Sequence, residues 1–377
     1  MKILLASNYQ PPHMGGIEFA AEALRDCWRK DGHEVTWITT DTPPGSRENT
    51  PDNIRIPCWN FLENRFQINT PLINPMQCKR IRQLVEMHDV VNTHSLAPGL
   101  AVMVMKEALR LGKPLVVTQH VAVIPLKLKI LGEFQRRYIV SMARRTQHGG
   151  AIITFVGKAV HDWFVTEAGL DPEKLVMTPA GINQDTYSFV PDHERVALRQ
   201  KWQCPENKLN VLFVGRFYDK KGLPLIREIA TSMPDVAFTL VGGGPVDPSG
   251  WNLPNVRIIN FVSNEELREL YGSHDLFIMP SYGEGWPAVV PQAMICGTKC
   301  LISEECFSGY QKDAECFYVR PRNAASLIET VQLFKSLSPV RESDRIKTSE
   351  YAAATWDWMS TARIYLEQFN RLCQKQV

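Results

Sequence analysis

The chain has 377 residues, 44% of them hydrophobic, and its 42 basic side chains nearly balance 40 acidic ones. This length predicts two domains of roughly 150–200 residues each. The formal net charge of +2 excludes a generally basic surface of the kind that binds nucleic acid, so cations can serve this protein only as a local cluster.

The cysteines and the amino-terminal segment bear on the cellular compartment. Nine cysteines are scattered along the chain without the spacing of a metal site, and we interpret them as buried, reduced thiols. The first apolar run, in MKILLAS, is too short for a secretory leader, and no run reaches the roughly 18 apolar residues of a membrane span. We expect a cytoplasmic protein that at most contacts the inner face of the plasma membrane.

The first half of the chain alternates predicted strands with predicted helices. A turn, QPPHMGG, and a helix with one apolar face follow the first strand, and another helix is expected from about residue 98 to 111. This alternation predicts a parallel, doubly wound sheet covered on both faces. The predicted strands are KILLAS (2–7), HEVTWITT (33–40), DVVNTH (89–94), PLVVTQH (114–120), AIITFV (151–156) and KLVMTPAG (174–181).

A polar stretch, 183–207, reads as a hinge region with one short helix, after which the alternation restarts. We therefore predict an α/β protein with two Rossmann-like, doubly wound parallel-sheet lobes that face a cleft, spanning residues 1–190 and 191–356. No GxGxxG follows the first strand, so the dinucleotide fingerprint is missing. The strands predicted in the second lobe are LNVLFVG (209–215), VAFTLVGGG (236–244), VRIINF (256–261), DLFIMPS (275–281) and TKCLIS (298–303).

Cations gather at the end of one predicted strand. Arg216 follows Gly215 directly, and Lys220 and Lys221 precede a predicted helix. Because open α/β sheets bind ligands outside the carboxyl ends of their strands, Arg216 and Lys221 are candidates for binding an anionic group.

The segment PSYGEGWPAVVPQAM (280–294) carries the complementary chemistry. Glycines flank Glu284, and the backbone amides around Gly285 and Trp286 could meet an anion, while Glu284 and Gln292 suit the hydroxyls of a neutral sugar or ribose. Together with the cations, this combination describes a nucleotide-sugar. The alternative is that Glu284 merely caps the helix that follows.

Two histidines end predicted strands of the first lobe, His94 in DVVNTH and His120 in PLVVTQH. An imidazole at such an edge can hydrogen-bond a donor sugar or polarise an acceptor hydroxyl, and His13 beside MGGIE is a further candidate on the acceptor side. The alternative for each is a histidine with all its hydrogen bonds satisfied in the core.

The blocks VGRFYDKKG, LVGGGP and PSYGEGWPAVVPQAMICG resemble the sugar-nucleotide lobe of retaining GT-B glycosyltransferases of family four (glycosyl transferases group 1). The blocks QPPHMGGIE and AIITFVGKAV…KLVMTPAGIN are similar to the amino-terminal lobe of the same family. The match follows nearly the whole chain in the right order. It implies a GT-B fold, and a carboxyl-terminal helix (357–377) that packs back on the amino-terminal lobe.

The resemblance also implies roles for individual residues. Arg216 and Lys221 would grip the donor diphosphate and Glu284 the sugar hydroxyls. Gly15 and Gly16 would approach the diphosphate from the other lobe. The resemblance favours His120 as the active-site histidine, and backbone groups near Phe261 and Val262 are expected to recognise the base.

Three positions depart from the family pattern. Gln292 stands where a second Glu is usual, Trp286-Pro287 replaces Phe-Gly, and Asn183 replaces an Asp of the hinge. An amide accepts more weakly than a carboxylate, and a proline donates no N–H, so a weaker or altered nucleotide preference is expected.

A basic stretch with interleaved apolar residues, 124–147, predicts either peripheral contact with an anionic membrane or a core-facing helix with a solvated basic face. Lipid-linked acceptors are frequent in the family, which adds support to the membrane alternative without deciding between the two.

The function predicted from sequence is metal-independent, retaining transfer of a sugar from a GDP- or UDP-linked donor to a glycan or lipid-linked acceptor of envelope synthesis, without a cofactor. Arg216 and Lys221 would stabilise the leaving diphosphate, and the choice between a covalent intermediate and same-face attack stays open. The alternative is a catalytically weak homologue that serves as a binding or scaffold subunit.

Overall fold

The computed structural model describes residues 1–11, 16–42, 49–61, 70–122, 129–310, 317–337 and 339–375. They fall into two units, Met1–Gly181 with Trp358–Val377, and Ile182–Asp357. The boundary lies earlier than the predicted 190/191. The reason is that Ile182 and Tyr187 are buried in the core of the second unit and the Val190 amide donates to the Cys296 carbonyl there.

The first unit is built on a parallel sheet in the order β3-β2-β1-β6-β7-β8-β9. The sequence predicted every one of these strands except Asn53–Ile56. That strand is short, and its alternation is broken by Arg55, a buried residue that pairs with Asp41. The strands of the unit are β1 (Lys2–Ala6), β2 (Glu34–Thr40), β3 (Asn53–Ile56), β4 (Cys58–Trp59), β5 (Leu72–Ile73), β6 (Val90–His94), β7 (Leu115–Gln119), β8 (Ile152–Phe155) and β9 (Leu175–Met177), with β4 and β5 forming a separate antiparallel pair.

Amphipathic helices cover this sheet. They are α1 (Gly16–Lys30), α2 (Cys78–Met87), α3 (Leu100–Arg110), α4 (Lys129–His148), α5 (Lys158–Ala168) and the last helix of the chain, α13 (Trp358–Gln374). Helix α13 packs on α1 and β7, where the Trp28 indole donates to the Ala362 carbonyl at 3.2 Å and Tyr365 and Phe369 stack edge-on against Trp28.

The second unit repeats the plan with the parallel order β12-β11-β10-β13-β14-β15. Its strands are β10 (Asn210–Val214), β11 (Ala237–Val241), β12 (Val256–Ile259), β13 (Leu276–Met279), β14 (Lys299–Ser303) and β15 (Phe317–Arg320), the last of which the sequence analysis missed. Its helices are α6 (Asp192–Lys201), α7 (Leu223–Ser232), α8 (Asn264–Ser273), α9 (Val289–Ile295), α10 (Glu304–Phe307), α11 (Ala324–Leu337) and α12 (Glu342–Thr355).

Each sheet has one point where the strand order reverses, between β1 and β6 in the first and between β10 and β13 in the second. Helices leave opposite faces of the sheet on either side of such a point, which opens a crevice at the carboxyl ends of the two strands. Arg216 follows β10, Glu284 follows β13 and His94 ends β6, so the predicted functional residues lie at these two crevices.

Among the helices of the described ranges, none combines the length and the apolar character that crossing a membrane requires.

Candidate active site

The loop after β10 brings Arg216 and Lys221 to the carboxyl end of the second sheet. The Gly215 amide donates to the Val241 carbonyl and the Phe217 amide to the Gly243 carbonyl, which fixes the loop against the glycine turn after β11. The Arg216 side chain extends into solvent with its guanidinium 5.5 Å from the centre of the Tyr218 ring. Lys221 lies in a 3₁₀ turn, Asp219–Lys221.

Gly222 joins this turn to α7 in a left-handed conformation, with a φ of 86°. A Cβ at this position would lie 2.4 Å from the Pro280 carbonyl oxygen, at the end of β13. The Tyr282 amide donates to the Lys220 carbonyl at 3.0 Å. The two loops that carry the predicted site residues are therefore held in direct backbone contact.

Lys221 and Glu284 form an ion pair across these loops. Lys221 Nζ lies 2.9 Å from Glu284 Oε1, and the two side chains are only 15% and 12% exposed. Oε1 is buried and is occupied by this contact with Lys221, so a ligand can reach only the exposed part of the carboxylate. The structure thus brings together a cation and a carboxylate that the sequence could only place at the ends of two different strands.

Glu284 does not cap the helix that follows. Helix α9 begins at Val289, its N-cap is Ala288, and no side chain makes a capping hydrogen bond there. The backbone amides of Gly285 and Trp286 have no hydrogen-bond acceptor within the described parts of the chain. The Trp286 ring is partly buried and packs edge-on against Tyr310, beside the core of the second unit.

Gln292 is held by a residue that the sequence did not connect with it. The hydroxyl of Tyr271 donates to Gln292 Oε1 at 3.3 Å. Burial raises the pKa of Tyr271 well above its usual value, so the hydroxyl stays protonated and keeps donating. Gln292 consequently offers its Nε2 group, a donor, to a ligand.

Phe261 and Val262 lie in the loop between β12 and α8. Val262 packs partly against the core of the second unit, whereas the Phe261 ring is 86% exposed and lies against Gly243 in the turn after β11. The sequence analysis considered only backbone groups here, and it missed this exposed aromatic face.

The two histidines predicted for the site in the first unit, His94 and His120, contact each other. His94 Nδ1 lies 3.0 Å from His120 Nε2, and the rings stack with centres 5.1 Å apart. His94 is fully buried and His120 partly. Burial lowers the pKa of His120 to about 4, and burial together with the neighbouring His120 holds the pKa of His94 well below 6.5, so both rings are neutral at physiological pH.

Asn92 is a residue of this site that the sequence analysis did not single out. Its Oδ1 lies 3.0 Å from His94 Nε2. The available signal was the alternation of DVVNTH, because residues two apart in a strand face the same side.

Three further residues of the first unit, His13, Gly15 and Gly16, were predicted to belong to the site. Gly16 begins α1, where a Cβ would meet no atom within 4 Å. Gly15 and His13 lie outside the described residues. In the parts of the chain that the structure covers, no three His, Cys, Asp or Glu side chains come together as metal ligands would.

The basic stretch 124–147 is described only from residue 129 onward. Ile139 and Met142 are buried in the core of the first unit, whereas Phe134 is 71% exposed. One face of α4 therefore packs on the core, as the core-facing alternative predicts for these residues.

The opposite face of α4 forms a basic groove of about 570 Å³. Two of its cations are already paired with carboxylates: Arg136 contacts both Glu133 and Glu167, and Arg137 contacts Glu133. The groove is lined by Arg136, Arg137, Val140, Ser141, Arg144, Arg145, His148 and Glu167.

The contact of the two loops can be tested with a glycine pair. Gly222→Ala should destabilise the protein by about 3 kcal/mol, because it combines left-handed strain with a backbone clash. Gly283 also has a positive φ, 66°, but open space where a Cβ would lie, so Gly283→Ala should cost only about 1 kcal/mol. Urea unfolding of both variants measures the difference, and equal losses would show that the approach to Pro280 carries no weight.

Two family models match this chain. Residues 14–186 match the one described as Glycosyltransferase Family 4, and residues 208–334 match the one described as Glycosyl transferases group 1. The two matches follow the order of the two units along the chain and together cover most of it.

Individual relatives align over shorter stretches. An alpha-galactosylglucosyldiacylglycerol synthase of Streptococcus pneumoniae is 28% identical over 182 residues, which are 45% of this chain and 47% of the relative. An N,N'-diacetylbacillosaminyl-diphospho-undecaprenol alpha-1,3-N-acetylgalactosaminyltransferase of Campylobacter jejuni is 28% identical over 217 residues, 55% of this chain and 57% of the relative. The chain thus spans about half the length of these curated relatives.

The fold is shared with solved structures. Anabaena Alr3699/HepE, solved in complex with UDP, superposes with a TM-score of 0.74 at 17% identity, covering 98% of this chain and 100% of that one. The predicted fold class, two doubly wound parallel-sheet lobes of the GT-B type, is confirmed.

Proposed function

Because the chain belongs to the glycosyltransferases that the Family 4 and group 1 models describe, we propose that it moves a sugar from a nucleotide-diphosphate donor to a hydroxyl of a glycan or lipid-linked acceptor. The observation that carries the proposal is the Lys221–Glu284 pair beside Arg216, at the point where the strand order of the second sheet reverses.

The donor diphosphate binds Arg216 and Lys221, and the amides of Gly285 and Trp286 donate to its oxygens. Glu284 accepts hydrogen bonds from the hydroxyls of the sugar through the exposed part of its carboxylate, while Lys221 holds the buried Oε1. A charged acceptor suits this role because hydrogen bonds to ionised groups are roughly twice as strong as neutral ones.

The reaction breaks the bond between the anomeric carbon and the diphosphate oxygen and forms one from that carbon to the acceptor oxygen. Negative charge grows on the diphosphate as it leaves, and the cations of Arg216 and Lys221 are placed where that charge develops. The acceptor proton passes to the leaving diphosphate. The resemblance supports retention, and the Campylobacter relative's name specifies an alpha linkage, which requires retention when the donor is alpha-linked.

We propose uridine as the base. Alr3699/HepE, which has the same fold, was solved with UDP. The exposed Phe261 ring beside the glycine turn offers a flat apolar face on which a base can stack, at about 1–3 kcal/mol per base. The free Nε2 of Gln292 donates to a ribose oxygen.

The proposed acceptor is attached to a lipid, because the names of both relatives contain one: the first is a synthase of a diacylglycerol glycolipid, and the second acts on a sugar linked to diphospho-undecaprenol. The basic face of α4 suits the anionic surface of the cytoplasmic leaflet, where each Lys or Arg near the surface contributes about 1 kcal/mol. His120, in the same unit, hydrogen-bonds a sugar hydroxyl.

A scaffold subunit without activity is the rival function. Gln292 and Asn183 support it, whereas the retained Arg216, Lys221 and Glu284 favour an enzyme. Transfer of a radiolabelled sugar to a lipid extract separates the two.

The donor site is tested by thermal unfolding with millimolar UDP, GDP, ADP and dTDP. A nucleotide at about 100 times its dissociation constant adds roughly 2.7 kcal/mol to the free energy of unfolding. We expect UDP to stabilise the wild type and not the Arg216→Ala/Lys221→Ala variant. If no nucleotide stabilises the wild type, the proposed donor site is wrong and the scaffold reading is favoured.

A further inference from the structure

A continuous set of hydrogen bonds leads from the interior of the first unit to His120. Asn92 lies on β6, and its amide nitrogen is 3.1 Å from the Val116 carbonyl oxygen. Its amide oxygen is 3.0 Å from His94 Nε2, and His94 Nδ1 is 3.0 Å from His120 Nε2. In the proposed transfer reaction His120 contacts the sugar, whereas Asn92 and His94 lie behind it in the buried interior.

The direction of every bond in this set follows from one carbonyl. The Val116 oxygen can only accept, so the Asn92 atom facing it is the donor Nδ2, and the atom facing His94 is the acceptor Oδ1. His94 Nε2 must then carry a proton. A neutral imidazole has a single N–H, so His94 Nδ1 accepts, and the proton between the two rings belongs to His120 Nε2.

We propose that Asn92 and His94 are positioning residues that hold His120 in its Nε2–H tautomer, so that His120 Nδ1 presents a lone pair to a sugar hydroxyl. His120 Nδ1 has no hydrogen-bond partner within the described parts of the chain, and the side chain is partly exposed. This role of Nδ1 rests on the proposed function, whereas the tautomer itself does not.

Burial of Asn92 and His94 favours one arrangement of these hydrogen bonds and tautomers. Asn92 and His94 are fully buried, so the cost of an unsatisfied donor or acceptor there is about 1–3 kcal/mol. Burial also lowers the pKa of both histidines, which removes the doubly protonated ring that would make Nδ1 a donor. Reversing both tautomers would set two acceptors, His94 Nε2 and Asn92 Oδ1, against each other.

The carboxyl-terminal helix α13 contributes to the same hydrogen-bond network. Asn92 Nδ2 also lies 3.2 Å from Thr118 Oγ1, which contacts the hydroxyl of Tyr365 on α13 at 3.0 Å. That hydroxyl further contacts Thr154 and Thr178. The Asn92 amide is thus fixed by strand and helix together, and it has little freedom to flip.

The wild-type protein provides the first test. Long-range ¹H–¹⁵N correlation spectra of protein labelled with ¹⁵N-histidine report which ring nitrogen carries the proton. The chain has nine histidines, and spectra of His94→Gln and His120→Gln assign the two signals. We expect both rings as Nε2–H tautomers at pH 7.5. A proton on His120 Nδ1 would overturn the proposal.

Asn92→Leu removes the acceptor of His94 Nε2 and is expected to convert both rings partly or wholly to Nδ1–H. Thr154→Val is the matched control, since it deletes a hydroxyl of the same buried network but leaves Asn92 and His94 in contact, and should leave both tautomers unchanged. Unchanged tautomers in Asn92→Leu contradict the proposal. If this variant does not fold, His94→Phe, which removes the acceptor of His120 Nε2, takes its place.

Kinetics separate positioning from stability. Asn92→Leu should lower kcat about 10- to 100-fold, the scale known for loss of the hydrogen-bond partner that orients a metal-binding histidine, with UDP-induced stabilisation unchanged. Thr154→Val should keep kcat within about twofold. If Asn92→Leu shifts the His120 tautomer but leaves kcat unchanged, His120 Nδ1 has no role in the reaction. If the wild type transfers no sugar at all, the proposed function fails, while the tautomer measurement still decides the hydrogen-bond directions.

Discussion

Lys221→Met should lower kcat/KM for the nucleotide-sugar about 10²- to 10³-fold. The expected loss is that of one preorganised donor aimed at a developing negative charge, roughly 2.7–4 kcal/mol. Methionine retains most of the aliphatic stem, so the change removes the charge with little change in packing. Initial rates with a labelled UDP-sugar measure the effect.

The ion pair complicates this variant and also supplies its control. Without Lys221, the carboxylate of Glu284 remains 12% exposed and unpaired, at a cost of up to about 3 kcal/mol in stability. Adding Glu284→Gln to Lys221→Met should restore most of that stability but not the activity. Such a result would separate a functional loss from a folding defect.

Lys220→Met is the matched control for charge. Lys220 lies in the same 3₁₀ turn, but its side chain is exposed. The substitution should change stability by less than about 0.5 kcal/mol and leave the rate within a few-fold. If kcat/KM falls equally in Lys220→Met and Lys221→Met, only the total positive charge of the turn matters, and the assignment of Lys221 to the diphosphate would be wrong.

Asp275→Asn should lower the free energy of unfolding of the second unit by about 3–5 kcal/mol, because it leaves the buried Arg195 and the partly buried Arg199 without their counter-ion. Asp275 Oδ1 lies 2.5 Å from Arg195 and 2.9 Å from Arg199, and Oδ2 accepts from the Asn210 amide at 2.8 Å. The Asp275 side chain is only 3% exposed. Urea unfolding followed by fluorescence measures the loss.

Asp235→Asn is the control for the chemistry of the substitution. Asp235 pairs with Lys335 at the surface, where both side chains are about half exposed, and its loss should cost no more than about 1 kcal/mol. If both variants lose similar amounts of unfolding free energy, burial is not what makes the Asp275 ion pairs important for stability.

The stability that the Asp275 carboxylate contributes should depend on pH. Burial by itself would raise the pKa of Asp275, but Arg199 and Arg195 outweigh it and lower the pKa below its usual value. The folded state therefore binds this proton more weakly than the unfolded chain, whose carboxyl titrates near about 4. The contribution is present above that pH and is lost as the pH falls. The stability difference between wild type and Asp275→Asn should accordingly shrink below about pH 4. A difference that stays constant would show that ion pairing of the carboxylate is not its cause.

Much of the candidate site was predictable because it lies at strand ends. Apolar runs such as VLFV mark buried strands, and the polar residue that follows each run lies at the edge where parallel sheets bind ligands. Arg216, Glu284 and His94 were identified in this way. Strands β3 and β15 were not, because short edge segments such as NIRI carry too weak a pattern.

The sequence by itself determined the fold class, the succession of strands and helices, and which side chains stand at the carboxyl ends of the two sheets, because these depend on local periodicity and on turn residues. Only the tertiary structure decided that Lys221 meets Glu284, that Tyr271 occupies Gln292 Oε1 and that Asn92 orients His94 towards His120. These contacts depend on strand register and on the packing of residues distant in the chain. Hydrogen-bond direction, and with it the tautomer of a histidine, depends on which partner such packing supplies.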